Sequence, residues 1–204
     1  MIASSVKLPF RFDPGKLKTD AERIGEAEWI AHYNQAIYEG EWSGIALRSA
    51  AGTPVTLYPD PNATAFADTE ILSRCPYIQE VLNSFHCPMT SVRILRLRPG
   101  ATIAEHRDYK LGYEDGEIRI HIPIQTAKEV EFFLDGIQVS MQEGEAWYLN
   151  FNLPHRVKNG SSSDRLHLVM DCTVNDWLTA QLQDAEPKLA ELKFAVPNTP
   201  LLAG

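Results

Sequence analysis

The chain has 204 residues, 44% hydrophobic and 23% charged, the balance of an ordinary globular protein with enough apolar surface for a core. Its formal charge of −8, with 19 Lys and Arg scattered among 27 Asp and Glu, argues against nucleic acid as a partner. No apolar run approaches the roughly 20 residues of a membrane span, and the first residues lack an apolar leader. Cys75, Cys87 and Cys172 show no CxxC spacing, so a cytoplasmic protein with reduced thiols is expected.

No repeat or long linker divides the sequence, which predicts one domain over 1–204: a mixed α/β part over 1–90, a β-rich core over 91–171, and a helix with a tail over 172–204. Residues 20–38 read as a helix with an acidic first turn, stopped by Gly40. A strand over 44–49 follows, then a Pro/Asn/Asp-rich loop over 54–68 and a short helix over 76–85, opened by Pro76. From residue 91 onward the pattern is that of β-structure. Residues 118–124 (IRIHIPI) alternate strictly, with four isoleucines on one face and Arg119, His121 and Pro123 on the other. Asp135-Gly136 between apolar runs marks a hairpin, and Glu143-Gly144 the next turn, leading into a strand over 146–151. Residues 165–171 (RLHLVMD) alternate again. Short strands at this spacing favour a sandwich or barrel. A closing helix over 175–184, capped near Asn175 or Asp176, precedes a tail expected to be extended or frayed after Pro187.

His106-Arg107-Asp108 sets an imidazole and a carboxylate two residues apart, which in extended backbone directs both to one side. His155, in LPHRV, supplies a second imidazole 49 residues later. Two histidines and a carboxylate on one face of a metal leave its other positions open, the arrangement of non-haem Fe(II) oxygenases. The same donors also serve catalytic zinc, and a histidine after proline is often only a loop residue. Arg165 begins an alternating strand, where on an inner face it would be a costly buried charge unless an anion paired with it. A carboxylate ligand matches its bidentate fork. Arg119 and His121 either line a pocket for such an anion or face solvent on a one-sided sheet. His167 shares the Arg165 face and reads as packing or support for the pocket.

Five stretches carry a family resemblance: RILRLRPGATIAEHRD, EIRIHIPI, FFLDG, MQEGEAWYLNFNLPHRVKN and RLHLVMD. In that order they resemble the aspartyl/asparaginyl β-hydroxylase family of Fe(II)/2-oxoglutarate dioxygenases, which includes bacterial free-proline hydroxylases. The resemblance implies a mainly β double-stranded β-helix (a cupin-like jelly roll) with flanking helices. It implies His106, Asp108 and His155 as iron ligands, Arg165 on the distal carboxylate of 2-oxoglutarate, and Arg119 and His121 near that co-substrate's other end or the substrate. Trp147 falls in the core or the pocket wall. The animal peptidyl branch lacks the carboxylate ligand that Asp108 supplies here, so the chain looks like the bacterial small-molecule branch. The implied reaction is hydroxylation of an unactivated C–H of an amino acid or amino-acid-derived substrate by O2, with release of succinate and CO2. A non-catalytic metal- or carboxylate-binding jelly roll and a zinc-dependent hydrolase are the alternatives.

Overall fold

Two antiparallel sheets face each other, and the side-chain alternation of their strands explains why. The computed structural model describes residues 2–55, 57 and 63–194, with side chains as far as 185. The larger sheet is built from β1 (Ser5–Arg11), β2 (Ile30–Ala31), β4 (Trp42–Ala50), β5 (Phe66–Asp68), β6 (Met89–Leu97), β8 (Glu117–Gln125), β11 (Glu145–Leu149) and β13 (Arg165–Thr173). Its strands run in the order β1-β11-β8-β13-β6-β4-β2, with β5 on β4. The smaller sheet comprises β3 (Tyr38–Glu39), β7 (Thr102–His106), β9 (Val130–Leu134), β10 (Ile137–Gln138) and β12 (His155–Asn159), in the order β10-β9-β12-β7-β3. This is the double-stranded β-helix that the resemblance implied.

Helices cover the outer face of the larger sheet. Ile118, Ile120, Ile122 and Ile124 of β8 are fully buried there, with Leu168 and Met170 of β13 and Val92 and Ile94 of β6. They share one apolar core with Leu17 of α1 (Pro14–Ala21), Ile78 and Val81 of α2 (Pro76–Asn83), and Leu178 and Leu182 of α3 (Asp176–Phe194). Burying one such side chain contributes about 1.5–3 kcal/mol. A second core, which includes Leu97, Ile103, Phe132, Leu149, Phe151 and Val169, fills the space between the sheets.

The chain departs from expectation at four places. Residues 20–38 do not form a helix. α1 ends at Ala21, and beyond it come short 3-10 turns over Glu26–Glu28 and Gln35–Ile37 and the edge strands β2 and β3. Tertiary contacts outweigh the local propensity: Ile30 and Ala31 pair with Gly44 and Ser43, and Arg96 holds Glu26 through two hydrogen bonds of 2.7 and 2.9 Å. α1 and β1 carry no counterpart in the sequence reading, although Asp13 before Pro14 is a capping signal; its side chain accepts from the Lys16 N–H at 3.1 Å. The alternative of a loop residue for His155 fails as well, since it opens strand β12. Finally, α3 continues through Pro187 to Phe194, where a frayed tail was expected; residues 195–204 lie outside the described residues. Within the expected loop over 54–68, residues 56 and 58–62 also lie outside them, and Phe66–Asp68 pairs as β5.

The other elements agree with expectation. The 118–124 and 165–171 strands appear as β8 and β13, the 44–49 strand as β4 and the 76–85 helix as α2. The hairpin turns at Asp135 and Gly136 with φ of 50° and 74°, the left-handed pair that a two-residue turn requires. Asn175 caps α3, its side chain accepting from Leu178 N–H at 2.9 Å.

Candidate active site

A bulge aims the first candidate ligand. His155 lies opposite His106 and Val157 opposite Ile103, so three steps along β7 match two along β12. The extra residue lets Ile103 and His106 both line the cavity between the sheets, which unbroken alternation would forbid. Two loops then fix the other ligands. Asp108 N–H donates to Phe151 O at 2.9 Å, and Phe151 N–H to Leu111 O at 3.2 Å. Leu111 N–H donates to Asn152 Oδ1 at 3.1 Å, and Arg107 Nη1 to Asn152 O at 2.9 Å. The loop after His106 is thus tied to the loop before His155. Gly112 lies close under that junction, where a Cβ would stand 2.6 Å from Asn152 Nδ2 and would displace that side chain.

The three side chains converge. Donor atoms of His106, Asp108 and His155 all lie within 4.8 Å of one another, and the two imidazole rings are 4.2 Å apart between centroids. Nδ1 of His106 lies 2.8 Å from Ala104 O, and Nδ1 of His155 lies 3.1 Å from Leu153 O. With Nδ1 donating to a carbonyl, each Nε2 keeps its lone pair for a metal. Burial pushes His155 down to about 4, so it is neutral at neutral pH, as ligation requires. Burial alone would raise the Asp108 carboxyl, but Arg119 and the two imidazoles hold it below the ordinary carboxylate range.

Arg119 and His121 face this interior, so the solvent-facing alternative for them is excluded: His121 is 4% exposed, and both line the cavity with the triad. Arg119 donates to Asp108 Oδ2 and grips Asp171 with Nε and Nη2, at 2.6 and 3.0 Å. Arg165 lies in the same cavity wall at 3% exposure, and among the described residues no carboxylate pairs with it. Its Nη2 reaches His167 Nδ1 at 3.1 Å, and its Nε has no partner among the described residues. Burial without a counter-charge destabilises this cation, which is too basic to shed its proton near neutrality. His167 Nδ1, accepting from Arg165, also lies 3.2 Å from His121 Nδ1. His121 Nε2 has no partner among the described residues.

The free space in front of the triad is about 40 Å³, and a cavity of about 490 Å³ lies beyond Arg165. Arg165 and Phe132 line both. Trp147 lines neither. It packs into the inter-sheet core, with its indole N–H donating to Glu145 Oε2 at 3.0 Å. Trp42, which sequence reading passed over, does line the triad's cavity; its Nε1 has no partner among the described residues, and its ring stacks on His32 at 3.4 Å. Asp171 and Phe151 were likewise missed as parts of the site. The alternation of β13 places Asp171 on the Arg165 face, a signal available in the sequence.

Among the described residues no helix is long and apolar enough to cross a membrane. Comparison with known proteins agrees with the geometry. The family model described as Aspartyl/Asparaginyl beta-hydroxylase matches residues 15–174. A protein named L-proline cis-4-hydroxylase, from Rhizobium meliloti (strain 1021), is 27% identical over 194 residues, covering 94% of this chain and 68% of the relative. Two solved structures share the fold. A 2OG-Fe(II) oxygenase family oxidoreductase from Burkholderia pseudomallei aligns with a TM-score of 0.54 at 16% identity, over 83% of this chain and 85% of that one. The non-heme alpha-ketoglutarate-dependent epimerase SnoN of nogalamycin biosynthesis aligns with a TM-score of 0.52 at 12% identity, over 83% and 77%. The chain belongs to the aspartyl/asparaginyl β-hydroxylase family and is, as the resemblance implied, a 2-oxoglutarate-dependent non-haem iron hydroxylase.

Proposed function

We propose that His106, Asp108 and His155 hold Fe(II), that Arg165 holds the distal carboxylate of 2-oxoglutarate, and that the enzyme hydroxylates an unactivated C–H of an amino acid or amino-acid-derived substrate. The observation that carries this reading is one cavity wall bearing both an open His/Asp/His donor set and a buried arginine without a counter-ion. The residues fit the group. Three donors on one side leave the metal's other positions for reagents, and Arg165 offers an anion a bidentate fork and relief from an uncompensated burial. Bound Fe(II), with 2-oxoglutarate and O2, supplies the oxidising chemistry that places one oxygen on the substrate and releases succinate and CO2.

The chain's own contribution is positioning and exclusion of water. The backbone carbonyls of Ala104 and Leu153 fix the imidazole tautomers, and Phe132, Phe151, Ile103 and Val157 dry the cavity. Arg119 and His121 form the wall beside the metal, near the inner end of the co-substrate or the substrate. Trp42 is the nearby indole donor still lacking a partner, suited to a substrate carbonyl or carboxylate. An amino-acid substrate is supported by the relative's name and by Asp108, the ligand that the peptidyl branch lacks. Strands from both ends of the chain interleave in the larger sheet, which supports one functional unit over 1–204, and the absence of CxxC spacing fits a reducing cytoplasm.

The test is a panel of free amino acids, proline among the first, and short peptides, incubated with enzyme, Fe(II), 2-oxoglutarate and O2. The expected outcome is a product heavier by one oxygen, formed in step with succinate and lost in His106→Ala. Turnover without O2 or 2-oxoglutarate and with Zn2+ bound would favour the hydrolase; carboxylate binding with no product across the panel would favour the sensor.

A further inference from the structure

Asp171 touches neither the metal donors nor the cavity, yet everything around it leads there. It is 0% exposed, on β13, directly opposite Arg119 of β8 and Ser91 of β6. Oδ1 accepts from Arg119 Nε, and Oδ2 accepts from both Arg119 Nη2 and Arg93 Nη1, the last at 2.9 Å. Arg93, also buried, donates to Ser91 Oγ at 2.7 Å as well. The fork on Asp171 occupies one edge of the Arg119 guanidinium and leaves Nη1, which donates to Oδ2 of Asp108. The other oxygen of Asp108, Oδ1, lies 3.9 Å from Nε2 of His106, on the side where the imidazoles converge.

Burying Arg93 and Asp171, with Arg119 and Asp108 partly buried beside them, is a poor way to gain stability, since well-packed apolar residues usually do as well or better. What such a chain does supply is orientation: all three nitrogens of the Arg119 guanidinium and both oxygens of Asp171 have an assigned partner. We propose that Asp171, backed by Arg93, is a positioning residue that locks Arg119 so that Asp108 offers the metal a single oxygen and leaves a further coordination position open. This rests on the triad being the iron site. Without the lock, Arg119 swings free, and Asp108 loses the fixed orientation that presents its oxygen to the metal.

The experiment is anaerobic metal titration of the full chain, with Co(II) as a spectroscopic stand-in for Fe(II), in wild type, Asp171→Asn, Arg119→Lys and Ile120→Ala. Ile120 lies on the outer face and controls for general loosening. Asp171→Asn and Arg119→Lys are expected to raise the metal dissociation constant about 10- to 100-fold and to alter the Co(II) ligand-field spectrum. Ile120→Ala should do neither. If Asp171→Asn does not fold, Arg119→Lys decides alone, because it leaves Asp171 charged while removing both the fork and the bridge to Asp108. Wild-type spectra and affinities within about twofold in the folded variants would overturn the clamp and leave the iron site standing. A wild-type chain that binds no metal would overturn both.

Discussion

The two faces of the larger sheet differ more than any two separate regions of the molecule. Along β8, Ile118, Ile120, Ile122 and Ile124 face the helices, while Arg119 and His121 face the gap between the sheets. Along β13, Leu166, Leu168 and Met170 face the helices, and Arg165, His167 and Asp171 face inward. One strand therefore carries stability on its even positions and chemistry on its odd ones, because successive side chains point to opposite sides. The outer face spends hydrophobic area to hold the sheet rigid. The inner face places arginines and histidines where apolar residues would be easier to bury, and that expense is tolerable only on a scaffold already stabilised from behind.

Substitutions on either face should separate the two roles. The largest loss of stability is expected on the outer face: Ile120→Ala should cost about 2–5 kcal/mol in urea unfolding of the apoprotein, with metal affinity unchanged in the folded fraction. A loss of comparable size comes from acid. Burial holds His155 and His32 at about 4, below the usual 6.5. Between those values the unfolded chain takes up protons that the folded chain refuses, so apoprotein stability is complete above about 6.5 and declines as pH falls towards 4. The loss is up to about 3 kcal/mol for each imidazole. A flat unfolding free energy between pH 7.5 and 4.5 would contradict this, and His32→Phe should remove part of the slope.

The next prediction reverses the sign. Arg165→Met removes a buried cation that has no counter-ion, and should stabilise the apoprotein by about 1–3 kcal/mol while abolishing the thermal shift that 2-oxoglutarate gives wild type. Arg165→Lys should weaken that shift too, because a point charge lacks the fork. An undiminished shift in both variants would mean that another group holds the distal carboxylate. The smallest effect is expected at Trp147, whose replacement by Phe loses one hydrogen bond, about 1 kcal/mol, and should leave the KM for co-substrate unchanged.

Much of this contrast was legible in the sequence, because it is written in alternation. IRIHIPI and RLHLVMD each announce two unlike faces, and the spacing of His106 and Asp108 places both on one side. Convergence of His155 with that pair was not deducible from spacing, since it depends on β12 pairing with β7 and on the bulge between Ile103 and His106. The solvent-facing alternative for Arg119 and His121 could be excluded only by knowing that a second sheet covers them. Residues 20–38 misled for the opposite reason: their helical composition is genuine but local, and pairing of the edge strand β2 with β4, with the Arg96–Glu26 ion pair, prevails over it. Alternation alone puts Asp171 on the Arg165 face, but its partners Arg119 and Arg93 are distant in sequence and were not legible there.

The central claim is that three side chains from two strand ends and a loop share one metal. A crystal structure of the anaerobic, Fe(II)-loaded enzyme measures this directly. The account predicts one ion at each active site, held by Nε2 of His106, Nε2 of His155 and the carboxylate of Asp108. Iron bound elsewhere, or His155 turned away from an ion that the other two hold, would contradict it.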